Sequence, residues 1–280
     1  MVLRSDDVDT SVMVSSADRE TAAAPGIPPP EDVAMSMQHA YLLYGKKTVL
    51  SDCSLDCKRG EVTCVIGLSG AGKSTILRLI NGLRRPQGGH IYVNGSDIVG
   101  LPERDLIEVR KKMGFAFQGA ALFDSLTVTE NVSYPLYEHT KLSPDEIEKR
   151  VDDTLESLGL SDVADRLPAE LSGGMQKRVG FARAIVNEPE IILFDEPTTG
   201  LDPIMTNVIT DTIRTIQSKL HATSVVVMHD MPSVYAIADN IAMLFEGTII
   251  ASGPAKDFRR SQNPIIQQFL QGSEVGPIPL

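Results

Sequence analysis

The stretch "GLSGAGKST", Gly67 to Thr75, has residue types and a spacing that suit phosphate binding. It matches the pattern G-x-x-x-x-G-K-[ST], follows a short apolar run and opens a segment with helical periodicity. In that context the backbone N–H groups of the loop and the helix N-terminus surround phosphate oxygens. We predict nucleotide binding here, with Lys73 on the β- and γ-phosphates and Ser74 on Mg²⁺. The predicted loop consists of Gly67, Leu68, Ser69, Gly70, Ala71, Gly72, Lys73, Ser74 and Thr75.

Two acidic residues end a second apolar run, "IILFDEP", and provide a partner for this loop. In open α/β sheets, ligands bind outside the carboxyl ends of the strands. Asp195 is therefore predicted to hold the Mg²⁺ shell, and Glu196 to act as a general base toward the attacking water. The alternative is a pair of strand-end carboxylates that simply stay solvated.

Two more polar residues follow apolar runs, Gln118 in "GFAFQGAALF" and His229 in "VVVMHDM". At the same sheet edge, Gln118 would ligate Mg²⁺ or orient water, and His229 would contact the γ-phosphate. Taken alone, a histidine at a strand end is more often structural than catalytic, and Gln118 is more often a loop residue. Both interpretations stay open at this point.

The stretch "LSGGMQKRVGFARA" begins a helix in an unfavourable way. Ser172 is a good N-cap, but Gly173 and Gly174 fill the first turn, where each costs roughly 0.8–1 kcal/mol relative to alanine. These glycines therefore need a reason other than the stability of the helix.

The elements that would position these residues indicate an α/β fold. The runs "EVTCVIG", "EIILFDEP" and "TSVVVMHD" are short and rich in Ile and Val, which is typical of a parallel sheet covered on both faces. Helical patterns lie between them. Residues from about 118 to 187 are mostly helical and predict a second lobe. Within it Ser143, Pro144 and Glu146 form the start of a marked helix with a capping box, which Gly159 ends.

The composition excludes several classes of protein. The 280 residues carry a net charge of −11, which makes nucleic acid and anionic lipid poor partners. Residues 1–33 are rich in Ser, Asp, Ala and Pro and are predicted to be disordered, with the folded part starting near Ala34. No apolar run approaches the ~20 residues of a membrane helix, and the start does not read as a secretory signal. Cys53, Cys57 and Cys64 form no metal or redox pattern and are predicted to be reduced and buried, as in a cytosolic protein.

Six motifs in their order resemble those of ATP-binding-cassette (ABC) ATPases. They are "GLSGAGKST", the Gln118 loop, "LSGGM", "IILFDEP", "TGLDP" and the histidine of "MHD". The resemblance implies a P-loop NTPase with a RecA-like core sheet and an inserted helical subdomain at about 118–187. It places the ATPase domain at 34–262, between the extension 1–33 and a C-terminal extension, 263–280. Met175 departs from the family, in which many members carry Gln.

The resemblance also implies roles for residues that the motifs alone leave unassigned. Tyr44 would stack on adenine, and Asp202 would link two ATP sites. In the family two copies pack head to tail, and each ATP lies between the P-loop of one copy and the signature of the other. Ser172, Gly173 and Gly174 would then face the γ-phosphate, which explains glycines that let the backbone approach a ligand.

A narrower resemblance covers "QGAALFDSLTVTENVSYPLYEHTKLS" and the tail "QQFLQGSEVGPIPL". Both are similar to the ATPase of Mla/Mce-type phospholipid transporters. The resemblance implies a multi-span permease, an MCE-domain lipid-binding protein and sometimes a STAS-domain subunit as partners. It implies a location on the cytoplasmic face of the inner membrane, held by the permease, and a C-terminal tail that reaches across the dimer.

Three other hypotheses compete with a lipid transporter. The same ATPase would serve an importer or exporter of another solute. A non-transport ABC protein acting on ribosomes or DNA would carry two cassettes, a long coiled-coil insertion or basic patches, and the sequence has none of these. An ATP-binding switch with negligible turnover is disfavoured by the presence of Glu196 and His229.

Overall fold

Two β-sheets organise the protein, whose computed structural model describes residues 26–278. The strands are β1 Val33–Tyr44, β2 Lys47–Lys58, β3 Val62–Ile66, β4 Gly88–Val93, β5 Ser96–Asp97, β6 Met113–Ala116, β7 Ile191–Asp195, β8 Thr223–Val227, β9 Asn240–Phe245 and β10 Thr248–Pro254. In the described part, one sheet has the order β10-β9-β3-β8-β7-β6, parallel except for β10. The other is antiparallel with the order β2-β1-β4-β5.

Helices cover the parallel sheet and form a separate lobe. They are α1 Lys73–Ile80, α2 Glu103–Arg110, α3 Val128–His139, α4 Pro144–Ser157, α5 Gly173–Ile185, α6 Pro203–Leu220, α7 Met231–Ile237, α8 Ala255–Phe258 and α9 Pro264–Gln271. Between β6 and β7 the chain forms α3, α4, α5 and two short 3₁₀ turns, in the region predicted to be the helical lobe. The predicted α/β architecture is therefore confirmed.

The parallel strands are buried on both faces. In β3, Cys64 and Ile66 belong to the hydrophobic cluster that includes the helical lobe, whereas Val65 belongs to the cluster with α1 and the antiparallel sheet. Phe194 of β7 meets Phe181 of α5 edge to face at 5.2 Å between ring centroids. Burial on both faces explains why these strands are continuous Ile- and Val-rich runs rather than alternating ones.

Local hydrogen bonds fix the ends of the helical lobe. Ser143 and Glu146 form the predicted capping box, because each side chain accepts from the other residue's backbone N–H. The Ser143 N–H and hydroxyl both donate to the Glu146 carboxylate, and these two hydrogen bonds lower the pKa of that carboxyl. Buried Asn131 accepts from Phe123 N at 2.9 Å and donates to Leu126 O at 3.0 Å. Asn131 thus holds the loop that runs from Gln118 to α3.

The N-terminal boundary differs from the prediction. Gln38 accepts from Ile27 N at 3.1 Å and donates to Ile27 O at 2.7 Å, and Arg59 N donates to Asp32 O at 2.7 Å. Ordered contacts thus begin before Ala34: β1 starts at Val33, Ile27 bonds the Gln38 side chain of β1, and Asp32 bonds Arg59 directly after β2. The prediction of disorder for residues 1–25 lies outside the described residues.

The C-terminal extension folds back onto its own chain. Ile266 of α9 joins the core, and Ile278 is also buried. Gln268 accepts from Ile278 N at 2.7 Å and donates to Ser273 O at 3.2 Å. The described part of the extension is therefore anchored by one buried glutamine.

The three cysteines are free and buried, as predicted. Burial raises the pKa of the Cys53 and Cys57 thiols to about 12 and also raises that of Cys64. None of the helices described here is long and apolar enough to cross a membrane.

Candidate active site

The predicted phosphate loop connects β3 to α1, and two of its glycines are required by the fold itself. Gly67 has φ 148°, and a Cβ there would overlap the carbonyl oxygen of Leu244 in β9. Gly72, the N-cap of α1, has φ 104°, and a Cβ there would press on Val49 of β2. The loop therefore presents bare backbone at a helix N-terminus, the geometry that binds phosphate.

Lys73 is buried at the start of α1 and points back into the loop. Its Nζ donates to Gly67 O at 3.0 Å and Leu68 O at 2.9 Å, and it lies 4.0 Å from Glu196 Oε1. Burial lowers the pKa of the Lys73 ammonium, against the opposing effect of Glu196 and Asp195. The cation is thus held inside the loop, within reach of a phosphate bound there.

Ser74 and Asp195 meet at the loop. Ser74 Oγ donates to Asp195 Oδ1 at 2.6 Å, and Asp195 is only 5% exposed. Desolvation raises the pKa of Asp195, opposed chiefly by the hydrogen bond from Ser74. A hydroxyl and a single carboxylate fit Mg²⁺, which takes few protein oxygens and completes its shell with phosphates and water.

Glu196 follows β7 in a left-handed conformation, with φ 46°, and its N–H donates to Val227 O at 3.0 Å. For a residue with a Cβ this conformation costs roughly 1–2 kcal/mol, and such strain concentrates at functional sites. Its Oε2 accepts from Thr199 Oγ1 at 2.9 Å and from Gln118 Nε2 at 3.4 Å. The predicted base and the predicted Gln118 therefore meet beside Lys73.

Tyr44 is the last residue of β1, whereas His229 lies two residues beyond the end of β8. His229 comes two residues after Val227, which pairs with Asp195 across β8 and β7. Its side chain is exposed, and among the described residues no hydrogen bond joins it to the cluster. Tyr44 ends β1, and the Arg84 guanidinium lies 4.9 Å from its ring centroid. The two remain predictions as site residues.

The signature segment lies apart from this cluster. Ser172 caps α5 by accepting from Met175 N at 3.3 Å, and Ser172 and Gly173 are exposed. Gly174 is buried, and a Cβ there would overlap the methyl of Met205 in α6. Within residues 26–278, no hydrogen bond or ion pair connects Ser172 or Gly173 with the phosphate loop. Gly173 therefore presents open backbone, whereas Gly174 packs against the end of the Met205 side chain.

Asp202, predicted to link two ATP sites, has a structural role within the chain. Its Oδ1 accepts from Ile204 N at 2.9 Å and from Met205 N at 3.0 Å, which caps α6. Ile204, in the first turn of α6, is 76% exposed.

Sequence analysis missed two residues in this region, Thr199 and Lys177. Thr199 holds the Glu196 carboxylate, and Lys177 is buried under the loop that contains Thr199. One signal was available for Lys177, because it falls on the buried stripe of α5 together with Gly174 and Phe181. A charged side chain on an apolar stripe indicates a buried hydrogen-bonding partner, because burying an unpaired charge is costly.

The fold and the site together define the class of protein. A parallel sheet, a phosphate loop, a Ser–Asp pair and a strand-end glutamate make a P-loop ATPase with an inserted helical lobe. The sequence profile of ABC transporters matches residues 50–199. This chain belongs to the ABC transporter family.

Relatives and solved structures agree with this assignment. The chain is 42% identical to Protein TRIGALACTOSYLDIACYLGLYCEROL 3, chloroplastic, of Arabidopsis thaliana, over 90% of this chain and 78% of that protein. It is 41% identical to the intermembrane phospholipid transport system ATP-binding protein MlaF of Escherichia coli, over 88% and 91%. It is also 39% identical to the "Probable ribonucleotide transport ATP-binding protein mkl" of Mycobacterium leprae, over 89% and 72%.

Among solved structures, a dimeric bacterial ABC transporter cassette, MJ0796, superimposes with a TM-score of 0.73 at 32% identity, covering 79% of this chain and 98% of that one. The same cassette in a post-hydrolysis state bound to ADP and Pi gives a TM-score of 0.72 at the same identity and coverage.

Proposed function

We propose that this chain is the ATP-hydrolysing subunit of a membrane transporter that moves phospholipids between membranes. The observation that carries the ATPase is the cluster of Lys73, Ser74, Asp195, Glu196 and Gln118 at one sheet edge. Two relatives, MlaF and the Arabidopsis protein, carry names that refer to lipids, which supports the cargo. The name of the mycobacterial relative refers to ribonucleotide transport, which makes ribonucleotides the alternative cargo.

In this proposal the residues divide the chemistry of hydrolysis. Lys73 exchanges its bonds to Gly67 O and Leu68 O for the β- and γ-phosphates. Ser74 and Asp195 hold Mg²⁺, which neutralises phosphate charge when bound. Glu196 accepts the proton of the attacking water, with Gln118 and Thr199 on its carboxylate. His229 contacts the γ-phosphate from the neighbouring strand end.

The active form is a head-to-tail dimer of this chain. Ser172 and Gly173 leave an exposed helix N-terminus that no contact within the described chain joins to the phosphate loop, and such an end favours an anion. A second copy brings this end to the γ-phosphate of the first. Tyr44 then stacks on adenine, and Asp202 lies where the two sites meet. The dimeric relative supports this arrangement.

The permease docks on a groove beside the Gln118 loop. The groove encloses about 400 Å³ between the loop, α3 and α5, and Phe117, Phe123 and Tyr134 line it with exposed aromatic surface. Arg183 lies over the Phe123 ring at 5.8 Å. A permease helix seated here would touch the loop whose Gln118 contacts Glu196, which would couple transport to hydrolysis. The subunit would thus sit on the cytoplasmic face of the inner membrane.

An affinity purification from detergent-solubilised native membranes tests the cargo, with the full chain as bait and mass spectrometry of proteins and lipids. A permease with an MCE-domain protein, with or without a STAS-domain subunit, and bound phospholipid is the expected result. Recovery of a permease with a solute-binding protein would contradict lipid transport, but the assignment as a transporter ATPase would still hold. Recovery of only ribosomal or DNA-repair proteins would contradict a transporter altogether.

A further inference from the structure

Lys177 is a buried cation on the inner face of α5, and it takes no part in the chemistry described above. Its side chain is among the buried polar groups of the protein, a rare environment for lysine. The Nζ donates to Pro197 O at 2.8 Å and to Thr199 O at 2.8 Å. Among residues 26–278, no carboxylate forms an ion pair with it. Two backbone carbonyls therefore compensate the charge.

Both carbonyls belong to the loop that directly follows Glu196. The Thr199 hydroxyl in the same loop donates to Glu196 Oε2 at 2.9 Å. A continuous path of contacts thus runs from the Lys177 ammonium to the backbone of Thr199, then through its hydroxyl to the carboxylate. Burial lowers the pKa of Lys177, and the negative charge of Glu196 opposes that shift.

A second contact joins the same two segments. The methyl of Met205 occupies the space that a Cβ at Gly174 would need, and Met205 N is held by the Asp202 cap of α6. The first turns of α5 are thus attached to the segment 197–205 at two separate points.

We propose that Lys177 is a positioning residue for Glu196: it fixes the loop 197–199 so that Thr199 holds the carboxylate toward the attacking water. The proposal rests on the proposed function, in which Glu196 is the base and α5 faces the ATP of a second copy. Under that arrangement, Lys177 ties the anion-binding end of α5, which serves one ATP, to the base that acts on the other ATP.

The test measures kcat and the Kd for MgATP separately in the purified full chain. We expect Lys177→Met and Thr199→Val each to lower kcat by about 10- to 100-fold, because small misplacement of a catalytic group has effects of this size. The Kd for MgATP should stay within about twofold, because neither side chain touches the phosphate loop. Thr199→Ser should restore most of the turnover lost in Thr199→Val, since it keeps the hydroxyl. The matched controls are Lys219→Met and Thr212→Val. Both residues lie on α6 away from the site, and Lys219 is exposed.

The double variant separates positioning from general damage. Two residues that act through one path should be non-additive, so Lys177→Met with Thr199→Val should be no slower than the slower single variant. Effects that multiply, or a loss of MgATP affinity in parallel with kcat, would overturn the proposal. If Lys177→Met does not fold, Lys177→Gln, which keeps an N–H donor, takes its place in the same cycle.

The failure of this inference differs from the failure of the proposed function. If the wild-type chain does not hydrolyse ATP, or Glu196→Gln turns over normally, the ATPase mechanism is wrong. If Glu196→Gln is inactive but Lys177→Met and Thr199→Val keep wild-type kcat, only the positioning role is wrong.

Discussion

Glu196 combines a left-handed backbone with three polar neighbours, Lys73, Thr199 and Gln118. The geometry distinguishes its role from that of Asp195, which lies one residue earlier and bonds to Ser74 instead. Adjacent residues at a strand end thus face different atoms of the site. In the proposed mechanism, this separation would let Asp195 hold the cation while Glu196 accepts the proton.

The first prediction at the residue scale concerns the base. Glu196→Gln keeps the size of the side chain but cannot accept the proton of water, so hydrolysis should fall by at least ~10²-fold. ATP binding should persist, and the ATP-bound dimer should accumulate, which size-exclusion chromatography with MgATP detects. Glu156→Gln, exposed on α4, is the control. Near-normal turnover in Glu196→Gln would rule out Glu196 as the base.

The second prediction concerns Asp195. Burial in the folded protein raises the pKa of its carboxyl by desolvation. A carboxyl with a raised pKa favours folding when protonated, and this contribution is lost as the pH rises through the folded pKa. Asp195→Asn should therefore raise the Tm of the ligand-free chain at about pH 8, by roughly 2–4 °C per kcal/mol regained. The difference should shrink as the pH is lowered.

Differential scanning calorimetry over a pH series measures this effect, with the exposed Asp152→Asn as control. MgATP should no longer stabilise Asp195→Asn, because the carboxylate that fits Mg²⁺ is gone. A Tm below that of the wild type at every pH would mean that burial of the charge is fully compensated.

At the scale of elements, β1 depends on the short segment that precedes it. Residues 26–32 supply the two Gln38–Ile27 hydrogen bonds and the acceptor for Arg59 N. The antiparallel sheet to which β1 belongs packs over α1, whose first residue is Lys73. The segment before β1 thus belongs to the framework that supports the phosphate loop.

A pair of truncations tests this framework. Removing residues 1–25 should leave the free energy of unfolding unchanged, because their composition does not support a core. Removing residues 1–33 should lower it by about 1–3 kcal/mol, since two or three hydrogen bonds to the sheet are lost. Urea denaturation measures both, and the ATPase of the folded protein should survive in each. Equal stability of the two truncations would contradict the structural role of residues 26–33.

At the scale of the whole molecule, two helix N-termini suited to anions lie apart, and no hydrogen bond or ion pair within residues 26–278 joins them. The phosphate loop opens α1, and the exposed Ser172–Gly173 end opens α5. Two copies would complete two sites, and each chain would contribute a different half to each site. The segment from Glu196 to Met205 lies between the halves and contacts α5.

Complementation between inactive chains tests this division. Lys73→Ala removes the phosphate lysine, and Ser172→Arg blocks the end of α5, so each variant alone should be inactive. Mixed dimers should contain one intact site, built from the phosphate loop of Ser172→Arg and the α5 end of Lys73→Ala. We expect ATP-dependent dimerisation and nucleotide occlusion to return only in the mixture. Occlusion by Ser172→Arg alone would mean that the site is complete within one chain.

The sequence by itself determined the features that depend on neighbours along the chain. The phosphate loop, the buried strands that precede Glu196 and His229, and the Ser143 capping box follow from local pattern, because turns, caps and burial periodicity depend on adjacent residues. The order of the six motifs was also sufficient to identify the ABC transporter family. These features need no knowledge of how distant elements pack.

The tertiary structure decided what depends on residues far apart in sequence. It separated buried Gly174 from exposed Gly173, attached residues 26–33 to the sheet, and placed Lys177 under the loop after Glu196. Periodicity states that a side chain is buried, not which group it meets, because the partner is set by the stacking of whole elements. The sequence alone therefore shows only that a lysine lies on the apolar stripe of α5. The packing of α5 beside the segment after β7 identifies its partners, the carbonyl groups of Pro197 and Thr199.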